Sequence, residues 1–363
     1  MKTMIRVAVL VPVVAGLGLA GAGEAEPEAL LGEPLCRIVE EDPSGRAPFA
    51  PLRSTTVNPW SRSQVASFFD ATYTPALGVP MQWSGNAATC TAGATSQAYV
   101  DATFQMINYF RTMVGLPDVT NNASLTSGCQ DAALMMSVNG ALNHYPPSSW
   151  TCYTSAGYNA ASHSNLALGG AGPGAVTMYM RDSGSGNYFV GHRRWLLCPR
   201  RGEFGTGSVG GSTTPANALY VLTSTTARPP SPATVPWPPE GYVPYQVVYP
   251  RWSLSLNTGS SVSFASASVT MTEGGSPVSL SVVSRTDNGY CDNTIVWEPS
   301  GLYFSAGMQD RRFTVTVSGI SVSGSPQTVV YDVVVMDPAQ SFDLIFDDGF
   351  DSGTLGAWSS SQP

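Results

Sequence analysis

Apolar positions in the first half of the chain follow a helical period. From Gln97 to Val114, Val100, Phe104, Ile107, Phe110 and Val114 fall three and four residues apart, which predicts a helix with one apolar face. Ala123 to Asn139 repeats the pattern through Leu125, Cys129, Ala132 and Met136, with Asn121 and Asn122 standing where an N-cap belongs and Gly140 where a helix ends. A shorter helix is predicted over Gly174 to Arg181. Arg194 to Leu197 and Ala218 to Thr223 are short runs bounded by glycine and proline, and read as strands. Helices followed by a few strands point to an α+β sandwich.

From Arg251 to Pro338 the period changes to two: Val262 and Phe264, Val269 and Met271, Leu280 and Val282, then Phe313, Val315 and Val317, and Val329, Tyr331 and Val333. Turn clusters such as Glu273-Gly274-Gly275 and Ser323-Gly324-Ser325 separate these runs, so residues 251–338 are expected to form an all-β, immunoglobulin-like sandwich. Between the two textures, residues 227–250 hold eight of the 28 prolines. Proline at that density disfavours both helix and central strand, so this segment reads as a stiff linker, part of which packs down through Trp237, Tyr242, Tyr245 and Tyr249. Residues 26–60 read as an irregular arm.

Composition narrows the function classes. Charged residues make up 12% of the 363, against about 25% in an ordinary soluble domain, and the net charge is -8. The sole lysine is Lys2, and no basic stripe exists to release counterions from a phosphate backbone, which excludes nucleic-acid binding. Lys2 and Arg6 precede an apolar run from Val7 to Ala20 and then small residues, the pattern of a secretory leader over residues 1–25. No later run is long and apolar enough to span a bilayer, so the mature chain is expected outside the cell or at its surface. Six cysteines then imply disulfides, and five of them precede residue 200. Cys291 is therefore either free or bonded across a domain boundary. No CxxC pair exists to build a thiolate zinc knuckle.

Candidate chemistry centres on the three histidines, His144, His163 and His192. No HExxH, GxSxG or GxxxxGK[ST] signature accompanies them, and no GxGxxG is followed by a helix and an acid in the right place. Arg193, Arg194, Arg200 and Arg201 form the only dense basic cluster, and read as a strand edge paired with acids rather than as an anion-binding surface.

The motifs Ile107-Asn108-Tyr109-Phe110-Arg111 through Gly115-Leu116-Pro117, Gln130 to Met136, Leu142-Asn143-His144, Ser164-Asn165-Leu166-Ala167, Gly191-His192-Arg193-Arg194-Trp195 and Gly205-Thr206-Gly207 resemble, in order and spacing, the CAP superfamily. That superfamily groups cysteine-rich secretory, antigen 5 and pathogenesis-related proteins, with many secreted bacterial members. The resemblance covers roughly residues 61–226 and implies an α-β-α sandwich. It also implies a cleft lined by two histidines and two acids, a tetrad able to hold a divalent metal. The histidines match His144 and His192. One acid falls on Ser164, and the other should lie near Thr177, with Asp182 the closest carboxylate. With half the tetrad gone, the imidazoles make a weak site for zinc or another divalent ion, to which His163 would add a third nitrogen. Ser164 with either histidine as a nucleophile and base pair lacks an identifiable orienting acid.

The expected activity is non-enzymatic binding of an apolar small molecule or cell-envelope component, lipid or sterol-like, in a cleft containing His144, Ser164 and His192. The alternatives are a metal-assisted hydrolase or protease using His144 and His192, and a surface adhesion or scaffold protein. For the last, the segment 339–363 matters. Its run Phe342 to Trp358 is similar to the acidic DGFxSG tails of many secreted bacterial proteins, and reads as a surface-retention tag.

Overall fold

Seven helices precede most of the strands: α1 (Arg62–Phe68), α2 (Thr74–Leu77), α3 (Gln97–Met113), α4 (Ala123–Asn139), α5 (Ser155–Ser162), α6 (Gly172–Arg181) and α7 (Gly191–Leu196). They belong to a computed structural model that describes residues 57–340 and the backbone of Arg37–Glu40. The leader over 1–25, Cys36, most of the arm and the tail beyond Gln340 lie outside the described residues.

The two long helices start and stop on side chains legible in the sequence. Ser96 Oγ accepts the Tyr99 N–H at the start of α3, and Asn122 Oδ1 accepts the Ser124 N–H at the start of α4. Gly140 closes α4 in the left-handed region at φ +61°. The expected single apolar face of α3 is too modest, because that helix is buried on nearly every side. One buried hydroxyl is satisfied within the helix, Thr103 Oγ1 donating to Tyr99 O.

A four-stranded sheet runs in the order Thr120–Asn121, Glu203–Val209, Ala216–Tyr220, Ser164–Leu168. Helices cover both faces. Leu166 and Ala218 point into a core with α4 and α5, while their neighbours Ala167 and Leu219 join the core of α3 and α6. Gly205 and Gly207 allow α4 to lie directly on the sheet. A Cβ on Gly207 would sit 2.2 Å from the Gln130 amide nitrogen, and one on Gly205 2.4 Å from Leu125 Cβ.

The second half forms two facing sheets. One orders Arg37–Glu40, Ser325–Met336, Arg311–Val322, Ser268–Glu273 and Ser276–Val278; the other orders Leu280–Ser284, Thr294–Pro299, Trp252–Leu256 and Thr234–Trp237. Between them sit the buried Trp237, Trp252 and Trp297, with Trp252 edge-on to Phe313 at 5.9 Å. The period-two pattern thus places its apolar residues where expected: Phe313, Val315 and Val317 are buried and the threonines between them are half-buried.

Two expectations need correction. Residues 227–250 are not a linker, since Thr234–Trp237 pairs with Trp252–Leu256, and Gly241–Pro244 pairs parallel to the end of Ser325–Met336. Both are edge strands, the one place in a sheet where proline's missing N–H does no harm. Through this segment the two halves share one core, with Phe110 of α3 against Trp237 at 5.1 Å, edge to face. Arg194–Leu197 is not a strand but the end of α7 with its C-cap, and so short a run has no period with which to tell the two apart.

Of the five described cysteines, Cys90 pairs with Cys152 and Cys198 with Cys291, so Cys291 bonds across the boundary rather than standing free. Cys129 is a free thiol at the α4–sheet contact, its pKa pushed up to about 12 by burial.

Candidate functional site

His192 occupies the first turn of α7, and its position is set by Asp182, the residue after α6. Asp182 Oδ2 accepts the backbone N–H groups of His192 (2.9 Å) and Arg193 (3.3 Å), capping a helix that has no capping side chain of its own. Its Oδ1 lies 2.7 Å from His192 Nδ1. A carboxylate oxygen accepts here, so Nδ1 carries the proton and a neutral ring keeps its lone pair on Nε2. The ring also stacks on Tyr179 at 5.6 Å. Tyr179 Oη donates to Asn217 Oδ1 (2.8 Å), Asn217 Nδ2 reaches Gly207 O (2.9 Å), and Asn165 Nδ2 donates to His192 O (3.1 Å). Buried amides therefore tie the histidine to the central sheet.

His144 follows α4 in a loop, and its Nδ1 donates to Ala161 O at 2.9 Å. A carbonyl only accepts, so His144 has the same tautomer as His192, with Nε2 as its open nitrogen.

Both imidazoles lie at the junction of two adjoining lobes of a cleft. The first, about 690 Å³, is walled by Leu142, Leu166, Leu168 and Met178, with Arg181 exposed at its side. Leu142 is 48% and Met178 40% exposed, so both present apolar surface to the lobe. The second lobe, about 320 Å³, adds Ser162, His163, Ser164, Asn165, Phe189, Trp195 and Tyr290.

Three of the sequence-derived candidates, His144, Ser164 and His192, therefore share one cleft. His163 borders it as well, but its ring stacks on Tyr220 at 5.1 Å and its Nδ1 engages Asn159 O and Ser162 Oγ. Among the described residues, no three His, Cys, Asp or Glu side chains are grouped to hold a metal ion, so the three-histidine set is not assembled. The residues present do not fit a tight zinc site. Two imidazoles are available, Asp182 is fully engaged with α7, and Ser164 stands where the first acid would be. Thr177 bonds to Gly174 O of its own helix and does not line the cleft.

The serine–histidine arrangement is also incomplete, for a reason other than the one expected. An orienting acid for His192 does exist in Asp182, but the Ser164 hydroxyl is buried beside the Cys129 thiol and makes no hydrogen bond to either imidazole.

The arginine cluster is structural. Arg111, fully buried, donates to Pro117 O, Leu196 O, Cys198 O and Arg201 O, and burial brings its pKa down to about 10. Arg193, likewise brought down to about 10 by burial, crosses into the β-region to Arg251 O (2.9 Å) and Ser253 Oγ (3.0 Å). Arg194 reaches Asn288 Oδ1 and Asp292 O, and Arg200 and Arg228 pair with Asp292. Arg251 returns the contact by donating to Asp182 O and Gly184 O. The cluster is therefore a seam between helix α7 and the β-region, not a strand edge.

Sequence reasoning missed Asp182 as the cap of α7, Arg251 as its backbone support, and Tyr290 as a cleft wall. Only Tyr290 carried a signal, its adjacency to Cys291, whose partner the spacing left open.

No curated protein and no solved structure matches the chain. A protein-family model does: residues 104–223, from α3 past the last strand of the central sheet, match CAP, the cysteine-rich secretory protein family, and both cleft histidines fall inside that span. The chain carries a domain of the CAP, or cysteine-rich secretory protein, family.

Proposed function

We propose that the protein is an extracellular CAP-domain binding module whose cleft takes an apolar or cell-envelope ligand of lipid or sterol type. The observation that carries this reading is the first lobe: about 690 Å³, with Leu142, Leu166, Leu168 and Met178 presented around two imidazoles. That volume lies within the range of about 300–1,000 Å³ typical of small-molecule sites, and apolar walls with a few convergent polar groups are their usual lining. Two disulfides fit an oxidising compartment. No helix among the described residues is long and apolar enough to cross a membrane. The β-region, two facing and mainly antiparallel sheets around buried tryptophans, supports reading it as an immunoglobulin-like sandwich that carries the CAP domain.

The hydrolase reading keeps one favouring observation, the matched tautomers of His144 and His192, each with Nε2 open. Native mass spectrometry of the secreted full chain separates the two readings. Binding predicts an organic adduct of lipid mass that survives a chelator. A chelator-labile metal adduct without an organic one, together with hydrolytic turnover lost in His192→Ala, would replace it with the hydrolase.

A further inference from the structure

The second lobe differs in chemistry from the first, and its outer wall comes from the β-region. Tyr290, 38% exposed, reaches over α7 to meet Phe189 at 5.0 Å and Trp195 at 5.7 Å between ring centroids. Its approach depends on Gly191, where a Cβ would lie 2.6 Å from the Phe189 ring and 3.2 Å from the Tyr290 ring. The loop bearing Tyr290 is fixed on both sides. Cys291 is bonded to Cys198, and Arg194 donates to Asn288 Oδ1 at 2.7 Å while its guanidinium lies 5.9 Å from the Tyr290 ring centre. Arg201 covers the Trp195 ring in the same way at 5.3 Å. The aromatic wall is thus held in place before any ligand arrives, which lowers the ordering cost of binding.

Opposite that wall the lining is polar and uncharged: Ser162, His163, Ser164, Asn165 and Asn187, with no carboxylate, guanidinium or ammonium. Asn187 uses Nδ2 on Ser183 O, which leaves its Oδ1 to accept from a ligand hydroxyl. A saturated acyl chain would leave these groups unpaired, and a charged headgroup would find no counter-charge. A neutral ring with hydroxyls on its rim and an apolar face for aromatic contact satisfies both walls, and about 320 Å³ accommodates one such ring.

We infer that the second lobe is a subsite for the sugar ring of a neutral glycolipid, whose hydrocarbon part lies in the first lobe. The inference rests on the apolar reading of the first lobe and extends it. The two lobes share His144, Tyr145, Asn187 and His192, so one amphipathic molecule spans both.

Calorimetric titration of the full chain with octyl β-glucoside, below its micelle concentration, and with 1-octanol tests this. The glucoside should bind about tenfold more tightly than the alcohol. Tyr290→Ala should abolish that preference with octanol affinity unchanged, and Tyr290→Phe, which keeps the ring, should retain it. Equal affinity for the two probes in the unaltered protein, a preference that survives Tyr290→Ala, or a parallel loss of both ligands in that variant each overturns the subsite. In the first two cases octanol binding leaves the apolar cleft standing. Binding of neither probe removes the subsite and the binding function together. Glucoside binding alone, lost in Tyr290→Ala, keeps the subsite and removes the apolar first lobe.

Discussion

Asp182 does two jobs with one carboxylate, capping α7 and holding His192, and the side chain is fully buried while doing so. Removing it leaves two helix N–H groups and an imidazole N–H without an acceptor, so Asp182→Ala should cost about 3 kcal/mol in urea unfolding. Asp182→Asn should lose less, because its amide oxygen still accepts from the α7 N–H groups while its NH2 sets a donor against His192 Nδ1. A loss under about 1 kcal/mol in Asp182→Ala would show that water replaces the carboxylate and that the cap is dispensable. This role explains what was legible at residue scale. His144 and His192 stand in motifs and could be named from the sequence, as could Ser164 in place of an acid. Asp182 was noticed only as the nearest carboxylate, because the feature that defines it is the direction of its side chain across ten residues of loop. The arginines mislead for the opposite reason. Four basic residues in nine positions read as a strand edge paired with acids, yet Arg193 and Arg194 sit buried on α7 and reach carbonyls and polar side chains of the β-region.

At the scale of elements, a helix whose caps and period agree was read to the residue, while elements defined by contact were not. α4 runs from Ala123 to Asn139 as its pattern demands. The proline-rich strands were missed because what permits them is their edge position beside Trp252–Leu256 and Ser325–Met336, which local sequence does not encode. The contact between α4 and the sheet invites a direct test. Gly207→Ala places a methyl 2.2 Å from the Gln130 nitrogen, a backbone atom fixed in mid-helix. The helix must therefore lift from the sheet, at about 2–3 kcal/mol. Asn122→Ala, which removes only the cap of the same helix, should cost about 1 kcal/mol. Thermal melts of the two variants should rank in that order; a reversed order would mean that α4 is held by its end rather than by its face.

The molecule as a whole does not divide where the family match ends. The matched segment stops at residue 223, but α3 packs on Trp237, Arg193 needs Arg251 O and Ser253, and Cys198 is bonded to Cys291. A fragment ending at residue 226 therefore exposes the side of α3 that the β-region covers, strands a buried guanidinium and frees a thiol. It should show no cooperative thermal transition, whereas the full chain should melt in one step, because the two halves share a core. A sharp, reversible melt of the fragment would show instead that the central sheet and its helices stand alone. The disulfide isolates the covalent part of this coupling. It closes a loop of 93 residues, for which chain entropy gives about 4–5 kcal/mol of stabilisation. The double variant Cys198→Ser with Cys291→Ser should unfold at correspondingly lower urea, still in a single transition, since Phe110–Trp237 and the Arg193 contacts remain. Two separated transitions in that variant would mean that the sulfur bridge, rather than the common core, makes the chain one folding unit.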